Sequence, residues 1–285
     1  MSQISSHEIK QVILESDDFG HEMRVGSCLS KMRAYKYSHG GTYVDSVTGK
    51  PRQYDFRAVF EKEYYRIQLA IECKNIGVNS PLVVCGTTRN EAEAYHHFID
   101  SRNGQFTDKG ITKIGATSTT YKVVGNQGFY PAGKFVGKSL LRMKMDKNLT
   151  SISDADIYDR WSQALSSCVE LAQKACTAGH ELKISHLFTV ILPVVVVPDG
   201  SLWKVVYDGD GNISSNPEKT DESEFFVDRH IDISSDYQML QIFTHDYGFS
   251  HIHFFTLGGF NSFLSKLAIN PMVIDQLFYE KAHQI

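Results

Sequence analysis

The chain has 285 residues and is 42% hydrophobic, enough apolar surface to bury a core of ordinary density, so disorder is excluded as its native condition. Its 29 basic and 33 acidic residues leave a formal charge of −4, which excludes a protein that coats nucleic acid through overall charge. Five cysteines, at 28, 73, 85, 168 and 176, are odd in number and form no CxxC pair, against both a disulfide framework and a structural zinc site.

In chain order, residues 1–10 lack an apolar signal core. A first helix is expected over 20–34, with Val25, Leu29 and Met32 at helical spacing and Asp17 or Asp18 as its cap. Gly40 and Gly41 end that region. Strands at 42–47, 52–59 and 64–74, rich in β-branched and aromatic residues, then form a predicted antiparallel meander. Residues 75–150 read as a looser insertion with six glycines between 110 and 137.

A helix is expected from Ser153, which caps it, to about 178, with Ile157, Trp161, Leu165, Cys168, Leu171 and Ala175 as its apolar stripe and Gly179 as terminator. Strands at 187–197 and 202–207 follow, joined by a turn at 198–201. The first is apolar on both faces and belongs in a sheet interior, with Pro193 marking a break or an edge. Its apolar core is too short to span a bilayer, so the chain is expected to be soluble and cytoplasmic, without a membrane partner. The tail reads as a strand at 251–257 and two short helices over 260–283 divided at Asn270-Pro271. The whole is expected to be one α/β domain, 1–285, with an insertion at about 75–152 and a strand-helix extension at about 230–285.

Charge is unevenly spread. Residues 109–147 carry seven lysines and Arg142 against Asp146 alone, a local +7. Residues 199–246 carry eleven acids against three bases, a local −8 that suits a solvated face first and a partner surface second.

Chemistry concentrates at Leu69-Ala70-Ile71-Glu72-Cys73-Lys74. Alternation puts Leu69, Ile71 and Cys73 on one sheet face and Glu72 with Lys74 on the other. A turn centred near residue 63 would set Asp55 opposite Glu72. Two carboxylates that close repel unless a divalent cation lies between them, and a hard cation with oxygen ligands, Mg²⁺ or Mn²⁺, suits them. Glu22, on the helical face of Val25 and Leu29, would point toward the same sheet as a further carboxylate. On chemistry alone, Asp55, Glu72 and Lys74 also suit a cross-strand ladder of salt bridges on a wet face.

These residues resemble the PD-(D/E)xK, or restriction-endonuclease-like, nuclease superfamily. Asp55 matches the motif acid, Glu72-Cys73-Lys74 the ExK triplet, and Glu22 the first-helix acid of many members, while Tyr54 stands where the eponymous proline would be. Gln163 resembles a glutamine found on the following helix in some branches. The resemblance implies a restriction-endonuclease-like core, a mixed central sheet flanked by helices, with metal held by Asp55, Glu72, the Cys73 backbone carbonyl and Glu22. It implies catalysis by Glu22, Asp55, Glu72 and Lys74, phosphodiesters as substrate with DNA favoured over RNA, and a role in host defence or DNA processing. With a net acidic chain, engagement of DNA falls to Lys122, Lys134, Lys138, Arg142 and Lys144, to an oligomer or to a partner protein. The reading from another class is a catalytically silent nuclease-like binding or assembly subunit.

Rival motifs fail on specific positions. Residues 128–134 match GxxxxGK, but Phe135 stands where a magnesium-binding Ser or Thr is needed. As a basic, glycine-rich segment with Phe129 and Tyr130 it suits a phosphate backbone and a solvated loop equally. Asp208-Gly209-Asp210-Gly211-Asn212 lacks the glycine and terminal acid of a calcium loop and reads as a turn. His180 and His186 are two residues too far apart for HExxH, and His251 and His253 read as packed or surface histidines. No GxSxG elbow occurs.

Overall fold

The computed structural model describes residues 4–46, 48–77, 79–108, 110–146, 148–152, 154–233, 240–242 and 246–282. The expected helix cap Ser153 and the segment ends Val47, Lys109, Lys147 and His283 lie outside the described residues.

The chain begins with α1 (Ser6–Ser16), closed by a capping box between Ser5 and Glu8 that the sequence reading missed. α2 (Phe19–Lys31) buries His21, Val25 and Leu29. Asp18 holds its N-cap position without capping it, because that carboxylate accepts the Asn75 N–H at 2.7 Å instead. β1 (Tyr35–His39) follows, then β2 (Thr42–Val44) and β3 (Pro51–Gln53), then β4 (Phe56–Lys62) and β5 (Tyr65–Cys73).

The meander is therefore β1-β4-β5, not the expected 42–47, 52–59 and 64–74: β4 pairs antiparallel with β1 and with β5. β2 and β3 pair only with each other, as a separate ribbon. The physical reason lies at the double glycine. Gly40 takes a φ of 72°, and a Cβ on Gly41 would overlap the Tyr54 ring, so the chain can leave the sheet here and return beneath Tyr54.

Residues 75–152 are not a loose insertion. They form β6 (Leu82–Thr88), the long hairpin β7 (Tyr95–Asp108) and β8 (Ile111–Val124), β9 (Phe135–Asp146) and β10 (Asn148–Ile152). Leu82 to Cys85 is a short apolar run of strand-forming residues and 115–124 is rich in Ser, Thr and Val, but the glycines and lysines among them read as loop. β6 and β9 are strands of the main sheet, where they pair antiparallel.

α3 (Asp154–Glu181) runs past Gly179, which is no terminator: a Cβ there would sit 2.2 Å from the Ser101 carbonyl oxygen on β7. Glycine at this point permits close contact of helix and strand.

β11 (Leu187–Val197) is buried along its whole length, parallel to β5 on one side. On the other, it pairs with β7 up to Thr189 and, from Val194, with the later strand β16. Pro193 falls between those two partial neighbours. The Ile191 N–H on the same edge goes to the Tyr247 hydroxyl at 3.3 Å, so the proline's missing donor breaks no ladder. β12 (Leu202–Val206) does not return to β11 across the 198–201 turn but pairs parallel with β6.

β13 (Glu218–Lys219), β14 (Glu222–Asp232), β15 (Leu240–Ile242), β16 (Asp246–Thr256), α4 (Leu257–Ile269) and α5 (Pro271–Ala282) complete the order. Fourteen strands among the described residues join one mixed sheet, whose main path is β1-β4-β5-β11-β16-β14-β9-β6-β12-β13. α2, α4 and α5 cover one face of its centre, packing on Ile67, Leu69, Ile71, Val194 and Val196. α3 covers the other, packing on Ala70, Ile191 and Val195. No helix among the described residues is long and apolar enough to cross a membrane.

Candidate active site

β4 and β5 reverse through Glu63 and Tyr64, with Glu63 at a φ of 56°. Their register runs from Lys62 opposite Tyr65 to Phe56 opposite Ile71. One further step sets Asp55 against Glu72, as a turn midway between them requires. Leu69, Ile71 and Cys73 face α2 and α4, whereas Glu72 shares the face of Ala70, under α3. The period-two reading of this strand holds.

Four contacts fix the strand end. Asp55 Oδ2 accepts the Cys73 N–H at 2.6 Å. Glu72, only 3% exposed, accepts from Lys74 Nζ at 2.7 Å through Oε1. The Lys74 N–H extends the ladder to the Val196 carbonyl at 2.9 Å. The same carbonyl lies 3.0 Å from Nε2 of the buried His21 on α2.

Gln163 on α3 is the residue that ties the face together. With its amide oriented to suit both neighbours, it donates to Glu72 Oε1 at 2.6 Å and accepts from Arg52 Nη1 at 3.3 Å. Arg52 pairs with Asp45 at 3.1 Å. A continuous polar chain thus runs Asp45, Arg52, Gln163, Glu72, Lys74, which satisfies groups that burial would otherwise penalise.

Burial dominates the electrostatics. It pushes the Asp55 carboxyl up to about 6, against the Cys73 N–H and Lys74, which lower it, and together with Glu22 and Asp18, which raise it further. Burial likewise holds Glu72 above the ordinary carboxylate range despite Lys74, with Asp55 adding to the rise. Burial works to lower Lys74, but the Glu72 charge and hydrogen bond outweigh it and hold the ammonium above its usual value.

The structure brings Asp55, Glu72 and Lys74 together and holds Glu22 one step away. Glu22 comes from the helix on the opposite face, and its Oε2 lies 3.0 Å from Nε2 of His39. Asp18, expected only as a cap, joins the site: its charge acts on Asp55 and Glu72, and its carboxylate anchors Asn75 just past Lys74. Asp18 and His21 carried no motif that would have revealed these roles.

The basic residues do not border this site. Lys138, Arg142 and Lys144 lie on β9, four strands from β5 along the sheet path. At ~4.8 Å per strand that is roughly 19 Å. Lys138 is paired with Glu93 at 2.5 Å, Lys122 on β8 lies 3.8 Å over the Tyr95 ring, and Lys134 stands in the loop before β9. The expected continuity of charge fails because 75–152 is woven through the sheet rather than looped over its edge. Of the other motifs, Asp208 closes a turn by accepting the N–H groups of Asp210 and Asn212, and His251 and His253 are packed in the interior.

Among the described residues no three His, Cys, Asp or Glu side chains are grouped so as to hold a metal ion. The donor chemistry nevertheless fits one: Asp55 and Glu72 are both acids whose burial raises their proton affinity, and the Asp55 charge raises that of Glu72 further, an arrangement a divalent cation relieves. Comparison with protein-family models, curated proteins and solved structures finds no match for this chain.

Proposed function

We propose that this protein is a metal-dependent nuclease that hydrolyses phosphodiester bonds by PD-(D/E)xK chemistry, with DNA favoured over RNA and a place in host defence or DNA processing. The observation that carries the reading is the register of Asp55 against Glu72 at the end of two adjacent strands, with Lys74 on Glu72. The element order supports it: α2, the β1-β4-β5 meander, then α3 crossing to β11 parallel with β5, the order that the resemblance implies.

Asp55, Glu72 and the Cys73 backbone carbonyl would hold Mg²⁺ or Mn²⁺, with Glu22 as a further carboxylate once released from His39. Such an ion, when bound, lowers the pKa of a water and polarises the phosphodiester. Lys74, held as the ammonium, orients the attacking water and offsets charge developing on the pentacovalent phosphorus. Gln163 keeps Glu72 Oε1 aimed while Lys74 moves between carboxylate and water.

The test is incubation of duplex and single-stranded DNA and RNA with Mg²⁺ or Mn²⁺. Lys74→Ala and Asp55→Ala should each lower the cleavage rate by about 10²-fold or more. Absence of cleavage of every substrate, or equal cleavage by the variants, overturns the reading. One observation favours a second one, the silent binding subunit: Glu72 is held by both Lys74 and Gln163, as in a closed structural network. Binding of DNA without cleavage would support it.

A further inference from the structure

Where β14 and β16 meet α4 and α5, a cavity of about 430 Å³ opens, within the ordinary size of small-ligand sites. The glycine-rich loop that fails as a phosphate-binding nucleotide motif forms part of its wall, through Phe129 and Lys134.

Its floor is built and buried. The Arg89 side chain, fully removed from solvent, is paired with Glu224 and donates from Nε to His251 at 3.1 Å and from Nη1 to the Pro131 carbonyl at 2.9 Å. The Tyr130 hydroxyl lies 2.6 Å from Nε2 of His253. Phe129, Phe255 and Phe263 supply aromatic wall, the last two stacked at 4.6 Å.

Two features ask for an anionic, polar ligand. Four cations, Arg89, Lys134, Lys204 and Lys266, line the cavity against two carboxylates, Glu222 and Glu224. Arg89 is paired with Glu224, Lys266 lies 3.8 Å from Glu222, and Lys204 is bound to Glu218 at 2.8 Å. Among the described residues no carboxylate pairs with Lys134, whose backbone carbonyl is fixed by the Arg89 N–H at 2.7 Å. An ammonium without a carboxylate partner beside aromatic rings disfavours a purely apolar tail and suits a ligand that joins an anionic group to a flat ring.

We propose that this cavity is a binding site for a nucleoside monophosphate, the base against Phe129, Phe255 and Phe263 and the phosphate on Lys134. Aromatic walls are indifferent to which base they stack, so the phosphate and the ring carry recognition together. The site shares no residue with Asp55, Glu72 or Lys74 and stands whether or not the chain cuts nucleic acid.

Isothermal titration of the full chain in chelator, with AMP, GMP, CMP and UMP in turn, tests this directly. At least one should bind at one per chain with a submillimolar Kd, and its unphosphorylated nucleoside should bind about tenfold more weakly or worse. Lys134→Glu, at an exposed position whose change leaves the fold intact, should weaken it about tenfold or more, and Asp55→Ala not at all. Binding by none of the four, an unchanged affinity in Lys134→Glu, or inorganic phosphate binding as tightly as the nucleotide would each overturn the proposal.

Discussion

Asp55 Oδ2 takes its hydrogen bond from the backbone of Cys73, the residue between Glu72 and Lys74, at 2.6 Å. The acid of one strand thereby sets the end of the next, and any change in its charge is felt by both functional side chains. That bond favours the carboxylate, but burial prevails and raises the group from 3.8 to about 6.

The sign of the consequence is definite. A folded state that holds a proton more tightly than the unfolded chain loses stability as pH rises between the two values and is level above them. Asp55 should therefore cost stability progressively from pH 3.8 to about 6. Asp55→Asn keeps an acceptor for the Cys73 N–H and removes the titration. Its melting temperature should gain on that of the natural chain through this window and hold a constant lead above it. A lead independent of pH would show that Asp55 titrates normally.

Divalent cations should reverse that penalty. A metal competes with protons for Asp55 and Glu72, so the rise in melting temperature on adding Mg²⁺ or Mn²⁺ should be small at pH 5 and grow above the Asp55 value of about 6. Asp55→Ala should abolish the rise at every pH. Differential scanning fluorimetry across a pH series checks it, and a shift that persists in Asp55→Ala would place the cation elsewhere.

In the nuclease chemistry proposed above, Gln163 acts through Glu72. Gln163→Ala leaves Glu72 with Lys74 alone and Arg52 with Asp45 alone, at a cost of about 1–3 kcal/mol of folding stability for the groups left unmet. The more specific expectation is kinetic: kcat falls while KM changes little, and the acidic limb of the pH-rate profile moves. Gln163→Glu, which brings a second charge to Glu72, should move that limb to higher pH. Loss of stability without movement of the profile would reduce Gln163 to a structural role.

The local pattern around Glu72 was legible because a strand's alternation is strict and a tight turn leaves one register: Cys73 inward, Glu72 and Lys74 on the other face, Asp55 opposite. The first meander strand was not: Tyr35, Tyr37 and His39 alternate with Lys36 and Ser38, but the run is short and follows directly on the helix, whereas the ribbon of 42–44 and 51–53 has the turn signals of a sheet hairpin. Asp18 and His21 reach the site only through the approach of α2 to the ends of β5 and β11, a tertiary relationship with no local trace. The basic residues failed for a similar reason. Their charge was visible, but their place was set by long-range pairing of β9 with β6 and β14.

Gly179 gives the sharpest test of how α3 is seated. The helix continues through it, its N–H donates to Ser101 Oγ at 3.0 Å, and a Cβ would stand 2.2 Å from the Ser101 carbonyl oxygen and 2.6 Å from the Arg102 nitrogen. Those are backbone atoms of a paired strand, so relief requires the helix to lift. Alanine is the better helix former by about 1 kcal/mol, yet Gly179→Ala should destabilise by about 1–3 kcal/mol or more, because overpacking outweighs propensity. The lift should also loosen the Gln163 contact with Glu72 further along α3, so the proposed nuclease activity should fall with stability. Gly209→Ala, at a position where a Cβ meets nothing within 4 Å, should change stability by less than about 0.5 kcal/mol. Urea denaturation of the two variants side by side decides the matter: if Gly179→Ala is as benign as Gly209→Ala, α3 does not rest on β7 as closely as its glycine requires.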